Sequence, residues 1–143
     1  HAERNWHNFD DHQRAVRDRR FKYVRHAFPR EPVPLASDLY ASAAYKDLLR
    51  RRDLGKLTRE QLRLFMIPRP GEELYDTEND RWEFVNLARD PAYADTLARL
   101  RKECNRWTAA TGDVPPEKRY IDNVDIFTGE KYGKRSGPPE PRE

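Results

Sequence analysis

Residues 72–113 constrain the fold more than any other part of the chain. They read EELYDTENDRWEFVNLARDPAYADTLARLRKECNRWTAATGD. Glu73-Leu74-Tyr75-Asp76 is a short strand, and Thr77-Glu78-Asn79-Asp80 is a polar turn. Asp90-Pro91 opens a helix, with Asp as N-cap and Pro at the first helical position. Tyr93, Leu97, Leu100, Cys104 and Trp107 then recur at alternating spacings of four and three, which makes one narrow apolar stripe. Gly112 closes the helix. A helix with a single stripe must lay it on another element, so the segment predicts a helix packed across a sheet.

The other strands lie upstream. Arg14-Ala15-Val16-Arg17, a polar turn at Asp18-Arg19-Arg20, and Phe21-Lys22-Tyr23-Val24-Arg25 read as an antiparallel hairpin. Residues 1–13, HAERNWHNFDDHQ, have no clean period and read as a loop. Pro29, Pro32 and Pro34 predict an extended connector. A helix is expected after Ser42, carrying Tyr45, Leu48 and Leu49 and stopping at Gly55. Thr58 and Gln61 form a capping box for a second short helix that Pro68 and Pro70 end. Beyond Asp113 the chain turns rich in Pro, Gly and charge, and residues 114–143 are expected to be a tail. The fold class predicted is α+β: a small antiparallel sheet, one long amphipathic helix across it, and short helices.

Composition limits how self-sufficient such a layer pair can be. The hydrophobic fraction is 36% and the charged fraction 37%, against roughly 45–50% and about 25% in ordinary globular domains. A core is possible but not a generous one, and a partner surface is expected to complete it. The net charge of +3 does not point to nucleic acid. Arg14, Arg17, Arg19, Arg20, Lys22 and Arg25 are dense, and Arg favours bidentate oxyanion partners. Their expected role is a solvated strand face paired with nearby Asp and Glu. The longest apolar run near Leu64 is Leu-Phe-Met-Ile, too short to span a membrane. The single Cys104 excludes an internal disulfide. A chain beginning at His1 and not at Met is expected to be a fragment or a processed product. Asp10-Asp11-His12, with His1 and His7 nearby, has neither the converging oxygens calcium needs nor the ligand spacing zinc needs.

Several of these stretches, in this order, resemble the sulfatase family. The similarity covers roughly residues 2–113. Its strongest part is the ELYD strand, the acidic turn, Asn86-Leu87-Ala88, Asp90-Pro91 and the helix through Trp107. Arg14-Ala15-Val16-Arg17 with Phe21-Lys22-Tyr23-Val24-Arg25 is a second part. Residues 35–58, with Ser-Asp-Leu-Tyr and Tyr-Lys-Asp-Leu-Leu, look most like the heparan N-sulfatase (sulfamidase) branch. The chain departs from the family at Trp82, where Pro is common.

What the resemblance implies is a C-terminal subdomain over residues 1–113, docked on a large α/β catalytic domain. It implies calcium and formylglycine in that other domain, made from a Cys or Ser in a C/S-x-P-x-R motif. Cys104 is followed by Asn105, Arg106, Trp107 and Thr108, so it lacks that motif's Pro and Arg. No cofactor and no catalytic residue is therefore expected in this segment. Tyr23, Tyr75 and Trp107 are expected in the sheet–helix core. The parent would hydrolyse sulfate from a sulfated carbohydrate, with glucosamine N-sulfate as the candidate. It would work in a lysosomal, periplasmic or secreted setting, and this segment would form one wall of the cleft.

Candidate substrate contacts are Glu3, Arg4, Asn5, Trp6 and His7, followed by His12 and Arg14. Arg suits sulfate, Asn and Glu suit hydroxyls, and Trp suits a ring face. Arg14 is alternatively an interdomain salt bridge. The competing readings are a non-catalytic polyanion-binding module and a structural interaction domain.

Overall fold

The computed structural model describes residues 1–6, 9–117, 125, 130 and 131, with Trp6 described by its backbone alone. Among the described residues, four strands form one sheet in the order β1 (Ala2–Trp6), β2 (Asp10–Arg17), β3 (Phe21–His26), β4 (Glu72–Asp76). The β2/β3 and β3/β4 pairs are antiparallel. Short helices α1 (Ser37–Ala41), α2 (Ala43–Asp53) and α3 (Arg59–Leu62) precede β4, and the long helix α4 (Ala94–Thr111) follows it. The α+β class and the hairpin read from the sequence are what the chain adopts.

Two compact units share these elements. The first comprises His1–Asn5, His12–Phe28 and Pro70–Pro116. Its core is one row across the sheet: Val16 pairs Tyr23, and Tyr23 pairs Leu74. Leu97, Leu100 and Cys104 of α4 bury against that row. Strand periodicity sends residues 16, 23 and 74 to the same face, and helix periodicity brings the stripe to meet them. Tyr23 lies in this core as expected. Tyr75 is buried too, but it follows Leu74 in β4 and so points to the opposite face. Trp107 sits at the margin, half-buried, stacked on His1 with ring centroids 4.9 Å apart.

Asp90 accepts from the Ala92 N–H, and a single 3-10 turn, Pro91–Tyr93, leads into α4. At the other end Gly112 adopts φ +64°, a left-handed conformation open to glycine without penalty. It lets the Asp113 N–H reach back to the Thr108 carbonyl at 2.9 Å.

The second unit comprises Trp6–Asp11, Pro29–Arg69 and Glu117–Glu143. Phe9 and Tyr40 form its small core, with Leu35 and Tyr45 packed against them. Burial pushes the Tyr40 phenol up to about 12. Ser42 caps α2 by accepting from the Tyr45 N–H, and Thr58 with Gln61 makes the capping box of α3. The buried Arg69 guanidinium pairs with the Asp11 carboxylate, the side chains being 3% and 1% exposed.

Two expectations change. Residues 1–13 are not a loop: they hold β1 and the start of β2. β1 is an edge strand with mostly exposed side chains, so no burial pattern marks it and backbone pairing alone selects it. Helix α1 was not expected ahead of Ser42. The tail expected over residues 114–143 lies mostly outside the described residues.

Candidate functional site

The site begins with β1 and the end of α4. Helix α4 has no basic residue in its last turn, although its C-terminal end carries partial negative charge. The Asp113 carboxylate just beyond adds to that charge. Arg14 on β2 answers both. Its Nε and Nη2 donate to the two Asp113 oxygens at 2.6 and 2.5 Å, a bidentate fork. Its Nη1 donates to the Gln13 carbonyl at 2.7 Å and, more weakly, to the Arg4 carbonyl at 3.4 Å. The Arg14 side chain is 2% exposed. Nε2 of His12 lies 3.2 Å from Asp113 Oδ1. The Arg14 guanidinium, ahead of the smaller effect of His12, holds the Asp113 carboxyl below the usual carboxylate range.

A second tie joins the same helix to the beginning of β1. Nε2 of His1 lies 3.0 Å from Glu103 Oε1, and its ring stacks on Trp107. The start of the strand that carries Glu3, Arg4 and Asn5 is thus tied to α4, and Arg14 adds a weak bond at its middle, to the Arg4 carbonyl. Glu3 and Asn5 are exposed and share one face by alternation, while Arg4 is half-buried on the other. His7 lies outside the described residues.

Candidate contacts therefore divide. Glu3, Arg4 and Asn5 stand on the edge strand. His12 and Arg14 are buried behind it around Asp113. Arg14 pairs with Asp113 of its own unit. Asp113, the hub of the arrangement, was not singled out as a candidate. Ninety-nine positions separate it from Arg14, and only the missing basic residue at the helix end hints at such a partner.

The arginine run of the hairpin is largely engaged. Arg20 binds Asp76 at 2.6 Å, Lys22 binds Glu83, and Arg25 donates to Asn105 at 2.6 Å. Arg17 donates to Thr77 at 3.2 Å. On the helix flank Arg101 grips Glu72 through two 2.7 Å bonds, and the Tyr23 hydroxyl donates to the same carboxylate at 2.6 Å.

Cys104 is fully buried in the sheet–helix core, and burial pushes its thiol up. Among the described residues no group of three or more His, Cys, Asp or Glu stands close enough to hold a metal. Asp11 of the Asp10-Asp11-His12 run is taken by Arg69. No helix among them is long and apolar enough to cross a membrane. What the arrangement offers is a polar edge strand backed by a charged pair.

No protein-family model matches the chain. Individual curated proteins do. An ulvan-active sulfatase of Formosa agariphila is 44% identical over 114 residues, which are 78% of this chain and 19% of that protein. The human N-sulphoglucosamine sulphohydrolase is 36% identical over 102 residues, 70% of this chain and 20% of that protein. Another ulvan-active sulfatase of Formosa agariphila is 32% identical over 104 residues. The chain spans about one fifth of the length of the curated relatives it matches.

Proposed function

We propose that this chain, a relative of sulfatases by sequence, is the C-terminal part of a sulfatase that removes sulfate from a sulfated carbohydrate. The observation that carries the reading is the 44% identity over 114 residues to an ulvan-active sulfatase. One relative is named for ulvan and another for N-sulphoglucosamine, so the proposed substrate class is a sulfated sugar, with glucosamine N-sulfate as one candidate. In this reading calcium and formylglycine belong to the remaining four-fifths of the parent, with which this segment packs. The setting is periplasmic, secreted or lysosomal.

The segment's own part is to form one wall of the cleft. Glu3 and Asn5 present hydroxyl-binding groups from the exposed face of β1, and Arg4, half-buried on the other face, is proposed to bring its guanidinium to a sulfate around the outer edge of the strand. Trp6 and His7 continue the same stretch and are proposed contacts. His12 and Arg14 stand behind them, so their proposed part is to support that edge. Alone, the segment is proposed to be inactive.

A polyanion-binding module is less well supported, because most hairpin cations already bind Asp, Glu, Asn or Thr. The deciding experiment is to isolate the intact natural protein and assay sulfate release from ulvan oligosaccharides and from N-sulfoglucosamine. Release by the intact protein, with Arg4→Ala raising KM severalfold, is the expected outcome. Salt-sensitive heparin binding without any sulfate release would put the module reading in its place.

A further inference from the structure

We propose that Asp113 is a positioning residue: acting through Arg14, it fixes the backbone of β1 and thereby the placement of Glu3, Arg4 and Asn5 against an anionic sugar. The inference rests on the reading of β1 as a cleft wall.

Four observations lead to it. First, β1 is an edge strand, paired on one side only among the described residues, and edge strands fray readily. Second, the pairing between Arg14 and Asp113 connects the end of α4 to the middle of β1, through the bond of 3.4 Å that Arg14 also makes to the Arg4 carbonyl. It is bidentate and its arginine is 2% exposed. Third, the remaining Arg14 nitrogen points away from Asp113 to the backbone carbonyls of Gln13 on β2 and Arg4 on β1. The guanidinium is planar, so orienting its Nε/Nη2 edge on Asp113 also orients Nη1 toward β1. Fourth, Asp113 is itself immobilised, since Gly112 turns the chain and the Asp113 N–H closes on the Thr108 carbonyl.

The charge is what matters at position 113. Asparagine has nearly the same shape but presents one acceptor and one donor to Arg14, so one arm of the fork is lost. An ordinary structural salt bridge would lower the stability of the whole unit when broken. A positioning residue loosens β1 selectively and changes how substrate is held more than how fast it reacts.

The test uses the intact natural protein and the variants Asp113→Asn and Asp113→Glu. Hydrogen exchange is followed peptide by peptide, and sulfate release is measured with a sulfated disaccharide. For Asp113→Asn, exchange across residues 2–6 should quicken about tenfold while β3 and β4 hold their protection. KM should rise about tenfold with kcat within about twofold, and Asp113→Glu should recover part of both. Should Asp113→Asn not fold, Arg14→Lys serves instead. It keeps a cation beside Asp113 but lacks the second arm that reaches the Arg4 carbonyl, and the same selective loosening is expected. Unchanged β1 exchange, or exchange quickened equally through β3, β4 and α4, overturns the proposal. So does a loosened β1 with KM unmoved. A wild-type protein that releases no sulfate from any sugar sulfate would sink the functional reading, and the exchange measurement would still decide whether Asp113 holds β1.

Discussion

Truncating Glu72 to alanine should open the β3–β4 ladder measurably, and the structure sets the size of the effect. The Tyr23 hydroxyl donates to Glu72 Oε1 at 2.6 Å, and Tyr23 is completely buried. Without Glu72 that hydroxyl has lost its acceptor inside the core, at a cost of about 1–3 kcal/mol. The Arg101–Glu72 pair contributes less. Its side chains are 41% and 33% exposed, and pairs so accessible to water are worth about 0–1 kcal/mol. Together Glu72→Ala should cost about 2 kcal/mol, or roughly thirtyfold faster native-state exchange at β3 and β4 amides, since each 1.4 kcal/mol is tenfold. Tyr23→Phe alone keeps the Arg101 pair and should cost about 1 kcal/mol. The double variant leaves no orphaned hydroxyl, so it should be less unstable than Glu72→Ala, at about 1 kcal/mol in all, a coupling of about 2 kcal/mol. Exchange at wild-type rates in Glu72→Ala would refute the reasoning. So would full additivity in the double variant, because the argument depends on the two groups serving one another.

Acid should destabilise the first unit. Hydrogen bonds from Arg14 hold the Asp113 carboxyl below its ordinary range, those from Arg101 do the same for Glu72, and those from Arg20 for Asp76. Depressed carboxyls add stability above their unfolded values and lose it as pH falls through the folded ones. Thermal melting should therefore hold steady from pH 7 to about 5 and then drop progressively below about 4. Gly112→Ala should cost about 1 kcal/mol, visible as a lower melting temperature. A Cβ there meets nothing within 4 Å, so the penalty comes from φ +64° alone and Gly112→Asn should recover part of it. The native Cys104 thiol should resist alkylation until the protein unfolds.

How much of this was legible in the sequence follows from how local each signal is. The stripe Leu97, Leu100 and Cys104 repeats within one helix, and the Thr58–Gln61 box closes within four residues, so both could be read directly. The hairpin showed in the alternation around Tyr23. β1 did not show, because an edge strand with exposed side chains carries no period, and residues 2–6 read as a loop for that reason. The candidate site was half legible. Glu3, Arg4 and Asn5 were named for their chemistry, and Arg14 for its type, but nothing nearby in the sequence announces that Arg14 belongs to Asp113. Tyr75 was legible as buried and misread in direction, since a one-residue step along a strand reverses the face.

The non-local ties have a common logic. The apolar row of Val16, Tyr23 and Leu74 meets a narrow stripe on α4, and greasy contacts alone would let the helix slide or roll across it. Directional bonds remove that freedom one turn at a time. Arg99 reaches Asp18 at the hairpin turn, Arg101 reaches Glu72 on β4, Asn105 receives Arg25 from β3, and Asp113 receives Arg14 from β2. Most of these pairs are exposed and each contributes little stability. Their combined effect is to select one register of helix on sheet. The Arg14–Asp113 pair differs in that its arginine is buried and also reaches the Arg4 carbonyl on β1. A chain that is 37% charged can therefore hold a defined fold on a small core, because its charges are spent on geometry. Register is also what the proposed cleft wall would require, since an edge strand displaced by about one ångström would present the same side chains to the wrong atoms of its ligand.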